Sequence, residues 1–141
     1  MGKISENGLV LRGLAMNKQL KFAVGISTPM THTILEAHNP SAQGLLAMSR
    51  AATAVGLLST TLKGRQQVGI QVNGDGPLGE LYALSNASGE VRVTASKPEA
   101  NAAPESEVGA VVGSGRFTLI KTSESGEPYR GTVPIFTGGI A

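Results

Sequence analysis

PSAQGLLAMSRAATAVGLLSTTL, Pro40 to Leu62, runs 23 residues with a single charge, Arg50. A helix this poor in charge cannot lie on a wet surface, so sheet, another helix or a second subunit must cover it. The pattern predicts a helix over the whole stretch, ~35 Å long, started by Asn39-Pro40. One stripe carries Leu45, Met48, Ala52, Val55 and Leu62, and a neighbouring stripe carries Ala47, Ala51, Ala54 and Leu58. The alanine stripe permits close approach of another element.

Upstream, Leu9 to Met16 and Leu20 to Ile26 read as strands, the second alternating Leu20, Phe22, Val24, Ile26 with Lys21, Ala23, Gly25. Asn17-Lys18 supplies the turn of a hairpin. Thr28 before Pro29 then reads as the cap of a short helix that puts Met30, Ile34 and Ala37 on one face and stops before Pro40. Downstream of Leu62 the period becomes two. Val68, Ile70 and Val72 alternate with Gly69 and Gln71; Glu80 to Ser85 is apolar on both faces; Glu90 to Ala95 alternates again after an Asn86–Gly89 turn. Lys97 to Glu107 has no apolar pattern and reads as a surface loop with room for a short helical turn, while Val108–Val112, Arg116–Thr122 and Tyr129–Ile135 read as the remaining strands. Strands at both ends with helices between them give an α+β fold, with layered antiparallel or mixed sheets and one long buried helix.

Composition narrows function further. At 141 residues the chain fits one domain, which buries roughly two-thirds of the surface its unfolded chain exposes. It has no cysteine, which excludes disulfides, thiolate metal sites and thiol nucleophiles. Residues Met1 to Asn7 are polar, with Lys3 and Glu6, and no apolar run reaches membrane length, so a cytoplasmic protein without membrane contact is expected. Met1-Gly2 suggests myristoylation, but Glu6 occupies the position where that motif wants Ser or Thr. The net charge of +2 comes from basic residues spread along the chain, and the five aromatics, Phe22, Tyr82, Phe117, Tyr129 and Phe136, are not interleaved with them. No nucleic-acid partner is expected.

Gly74-Asp75-Gly76-Pro77-Leu78-Gly79 satisfies G-x-G-x-x-G, yet a dinucleotide site needs a helix to begin there, and Glu80-Leu81-Tyr82-Ala83-Leu84 is strand-like. A turn between strands is the expectation, and likewise for Gly113-Ser114-Gly115. His32 and Glu36 stand one helical turn apart, but His38 lies about 120° round from His32, so they make a solvated pair and not a metal site. Asp75 is the sole aspartate, and no G-x-S-x-G elbow occurs. No catalytic residue and no cofactor of this chain are expected.

The order of segments resembles the redox-regulated heat-shock holdase family of about 33 kilodaltons. The matching residues are Val10-Leu11-Arg12-Gly13, Leu57 to Gly64, Gln71 to Gly79, Val112-Gly113-Ser114-Gly115 and Pro128 to Ile135. They span nearly the whole chain. The resemblance implies an ATP-independent chaperone that holds unfolding proteins under oxidative or heat stress. In that family a separate carboxy-terminal domain binds zinc through four cysteines, whose oxidation unfolds a linker and switches on client binding. This chain has none of those cysteines, so it looks like the amino-terminal domain alone, with Gly139-Ile140-Ala141 opening the family's next helix. It departs from the family at Val91-Arg92-Val93-Thr94, where Arg-Gly usually follows the valine.

A holding domain needs apolar surface that is hidden or dimer-buried at rest. Tyr82 and Leu84 are the residues expected to share dimer and client contact, with unfolded proteins and a second copy as partners. A dimerisation platform without client binding, and a nucleotide-binding enzyme using the Gly74–Gly79 turn, are the alternatives.

Overall fold

Asn39 and Pro40 divide the helical region into two helices. The structure, a computed structural model, describes residues 3–5, 8–104 and 107–135; Gly139-Ile140-Ala141 lies outside them. Helix α1 is Thr28–His38, and its cap is Ser27, not Thr28: the Ser27 carbonyl accepts the first helical bond, from the Thr31 N–H at 2.9 Å. Asn39 closes α1 in the left-handed conformation (φ 44°, ψ 52°), its N–H donating to the Leu35 carbonyl. It is therefore not available to start the next helix.

That role falls to Ser41, whose Oγ accepts from the Gly44 N–H at 2.9 Å. Helix α2 is Ala42–Leu58, 17 residues and about 26 Å, shorter than the run of apolar sequence predicts. Its early end has a local cause. The hydroxyls of Ser59, Thr60 and Thr61 donate to the carbonyls of Gly56, Leu57 and Leu58 at 2.6–2.8 Å, and Ser59–Thr61 tightens into a 3-10 turn.

The strands form two sheets in which every pairing is antiparallel. The first contains β1 (Lys3–Ser5), β2 (Gly8–Ala15) and β3 (Leu20–Ile26), in that order. The polar amino terminus thus contributes a strand that its sequence does not announce. The second sheet contains β4 (Gln67–Gly74), β5 (Glu80–Asn86), β6 (Val91–Ala95), β7 (Gly115–Lys121) and β8 (Tyr129–Ile135), in the order β6-β5-β4-β7-β8.

Val108–Val112, read from sequence as a strand, is a helix, α3. Five residues are too few for periodicity to decide between the two. Val108, Val111 and Val112 fall on one helical face, all buried, and α3 packs against α2, so burial overrides the β preference of valine. Lys97 to Pro104 forms a loop, and with Glu107 it is anchored from within. Gln43 is only 2% exposed; its Oε1 accepts from the Ala102 N–H at 2.8 Å, and its Nε2 donates to the carbonyls of Ala102, Pro104 and Glu107 at 2.9–3.2 Å.

The core lies between α2 and one face of the five-stranded sheet. Ala47, Met48, Ala51, Ala52 and Val55 meet Val68, Ile70, Val72, Leu81 and Ala83, with Leu78 and α3 closing one end. The alanines let α2 sit close on β4, β5 and β6. Beyond its reach, β8 leaves Tyr129 and Val133 more than half exposed.

Candidate functional site

The register of the hairpin decides which side chains share a face. Leu11 stands opposite Val24, Gly13 opposite Phe22, and Ala15 opposite Leu20, with Ile26 next along the same face of β3. Leu11, Leu20, Phe22, Val24 and Ile26 are 45–59% exposed. The opposite face presents Arg12, Leu14, Lys21 and Ala23. Arg12 donates from Nη1 to the Thr60 carbonyl at 2.7 Å and so ties the hairpin to the end of the α2 segment. The more apolar face of this sheet points to water.

Gly13 is where the Phe22 ring crosses the neighbouring strand, since a Cβ there would lie 2.5 Å from its Cζ. The hairpin turn, Met16–Gln19, carries positive φ at Met16, Asn17 and Lys18, and Met16 is 71% exposed at its tip. Five large side chains at about half exposure exceed the scattered apolar residues of an ordinary surface and reach the roughly few-hundred-Å² class that marks interaction sites.

Tyr82 and Leu84 lie on the other face of the second sheet, away from α2, and both are half-buried. Tyr82 stands between Gln71 and Thr94, and Leu84 between Gly69 and Arg92. Their surroundings are thus mixed, and the hairpin face, not this one, holds the largest exposed apolar side chains. Sequence reasoning missed the hairpin because alternation identifies two faces without saying which one the body will cover. A usable signal was the pairing of large residues on β3 with Gly13 and Ala15 on β2.

The glycine motifs interlock. Gly74, Asp75, Gly76 and Pro77 form the turn into β5, and Gly113 to Gly115 lies against it: Asp75 accepts at Oδ1 from the Ser114 N–H and donates its own N–H to the Ser114 carbonyl, both at 2.8 Å. The N–H groups of Gly76, Leu78 and Gly79 donate to Val112, Val111 and Gly76 carbonyls. No helix begins there, and these donors are already engaged, so the turn lacks the free N–H cradle that a pyrophosphate requires.

His32 and Glu36 are exposed on α1, and His38 is half-buried in its last turn. Among the described residues no three His, Asp or Glu side chains gather as a metal site, and the sequence contains none of the cysteines through which the family resemblance implies zinc binding. No helix among the described residues is long and apolar enough to cross a membrane.

Comparisons with known proteins agree on one family. The family model described as Hsp33 protein matches residues 8–141. The 33 kDa chaperonin of Desulforamulus reducens is 38% identical over 122 residues, covering 82% of this chain and 42% of that protein. Its counterpart in Alkaliphilus oremlandii is 32% identical over 138 residues, covering 94% and 46%. The crystal structure of the 33 kDa chaperonin from Thermotoga maritima superimposes with a TM-score of 0.86 at 18% identity, over 96% of this chain and 48% of that one. The likeness confirms the α+β fold with its two antiparallel sheets. The chain spans less than half the length of these relatives, and over that span it belongs to the Hsp33 family.

Proposed function

We propose that this chain is the client-holding domain of an ATP-independent chaperone, binding unfolding proteins without catalysing a reaction. Membership in a family whose relatives are named chaperonins supports a chaperone role. The observation that carries the holding function is the outward apolar face of the β2-β3 hairpin. Unfolding chains expose scattered apolar side chains, and a pleated surface of Leu11, Leu20, Phe22, Val24 and Ile26 accepts them without requiring a fixed sequence.

In this proposal the domain works in the cytoplasm, as a homodimer, during oxidative or heat stress. Redox control belongs to cysteines outside this chain, so the domain itself holds clients regardless of redox state. Tyr82 and Leu84 add a second contact, shared between clients and the partner copy. The test is light scattering of a thermally unfolding client with the chain added, without ATP, with and without reductant. Suppression equal under both conditions is the expected result. A folded chain that leaves aggregation unchanged overturns the proposal and identifies the domain as a dimerisation platform.

A further inference from the structure

The β6 strand ends the five-stranded sheet, and its free side is a row of unpaired backbone groups. The Ser96 N–H donates to the Glu80 carbonyl at 2.9 Å and the Asn86 N–H to the Glu90 carbonyl at 3.3 Å. In an antiparallel ladder the bonded pairs alternate, so Arg92 and Thr94 face β5 with their N–H and C=O groups, while Val91, Val93 and Ala95 aim theirs outward. Among the described residues no strand pairs with that side. Sheet edges are commonly blunted by proline, lysine or a bulge. The opposite edge, β8, contains Pro134; β6 contains no proline and pairs with β5 without interruption.

Beside this edge lies an open cleft of ≈ 210 Å³. Met30, Ile34 and Ala37 of α1 form one wall, Val91 and Val93 of β6 the other, and Ala52 of α2 the floor. A cleft of this size is below the roughly 300–1,000 Å³ of small-molecule sites and suits the side chains of a peptide. An edge strand facing a helix across an apolar cleft can take an extended segment as one more strand, main-chain bonds giving affinity and the cleft receiving alternate side chains. Arg92 pairs with Leu84 and so turns its side chain to the sheet face away from the cleft, where an added strand places the residues between its apolar ones; no carboxylate lines the cleft.

We infer that the β6 edge and the α1 cleft form a strand-addition site for an extended polypeptide segment with alternate apolar side chains and a carboxylate near Arg92. The inference rests on the client-holding proposal and locates where an unfolded segment is gripped through its backbone.

The experiment is fluorescence anisotropy on the full chain. The probe is a labelled peptide alternating valine and threonine around one central glutamate, compared with the same peptide N-methylated on alternate backbone nitrogens. Saturable binding is expected, weakened about tenfold by N-methylation, which removes strand-pairing donors but no side chain. Val93→Pro removes an outward N–H without touching the β5 ladder and produces a similar loss. Arg92→Glu weakens the glutamate peptide and strengthens its lysine counterpart.

Equal binding of the methylated and unmethylated peptides overturns the inference, and needs no variant to fold. So does a chain whose edge is occupied by a second copy, seen as a dimer that Val93→Pro dissociates and that the peptide does not enter. Aggregation suppression measured in parallel separates the two proposals. Suppression without peptide binding discards this site and keeps the holding function; peptide binding without suppression does the reverse.

Discussion

Gln43 shows how one buried polar side chain organises a loop that has no apolar pattern of its own. Its amide meets one N–H and three carbonyls of the 102–107 segment, so the loop's backbone is satisfied inside the fold and not by water. Gln43→Leu keeps approximate volume but leaves those groups unpaired, and a loss of ~2–3 kcal/mol in urea unfolding is expected, with earlier proteolysis near Ala103. Gly113 is set by conformation. At φ 75° and ψ −165° it occupies backbone space that is essentially glycine-only, and a Cβ would lie 2.1 Å from Asp75 Oδ1. Gly113→Ala is expected to cost ~2–4 kcal/mol, read as a lowered urea midpoint with unchanged m. Both residues stand in the sequence, but only Gly113 belongs to a pattern that attracts notice; a buried glutamine on an apolar helix looks like any polar position until its partners, about 60 residues away, are in place.

Among the elements, β3 and β8 end where their residue types and flanking turns place them, and the period of two in β3 marks its two sheet faces although most of its residues are exposed. Val108–Val112 does not, because five residues, of which Val108, Val111 and Val112 are buried, are too few to show a period. The hairpin lies between these cases: its strands and turn are legible, but which face meets solvent is not. That face yields the prediction specific to this element. Phe22→Ser with Val24→Ser removes exposed apolar surface, so aggregation suppression should fall several-fold while the thermal midpoint shifts little, since exposed positions contribute little to folding. Tyr82→Ser with Leu84→Ser, at half-buried positions of the second sheet, should lower both suppression and stability. Light scattering paired with calorimetry distinguishes the two surfaces, and a hairpin variant that holds clients as well as the parent chain removes the hairpin from the site.

At the scale of the whole molecule, the described residues leave apolar side chains uncovered on the hairpin face and at the β8 end of the sheet that α2 does not reach, where Tyr129 and Val133 are 62% and 56% exposed. Surfaces of this kind favour self-association, and analytical ultracentrifugation is expected to show a concentration-dependent dimer that Val133→Lys weakens. A monomer at every concentration would leave both faces free for clients and remove the dimer from the functional proposal. The sequence by itself determined the α+β class, the position along the chain of most strands and the helical segment between them, because these depend on periodicity, capping and turn chemistry that act over a few residues; the segments from Val10 to Ile135 that resemble the family carried the family. It also excluded thiol and thiolate chemistry through composition alone. Only the tertiary structure decided that α3 is a helix, that Gln43 anchors a distant loop, that the hairpin turns its larger side chains to water, and that β6 is an open edge beside a cleft. Those outcomes depend on which surfaces the rest of the chain covers, and that is set by packing between segments far apart in sequence, where no local pattern records it.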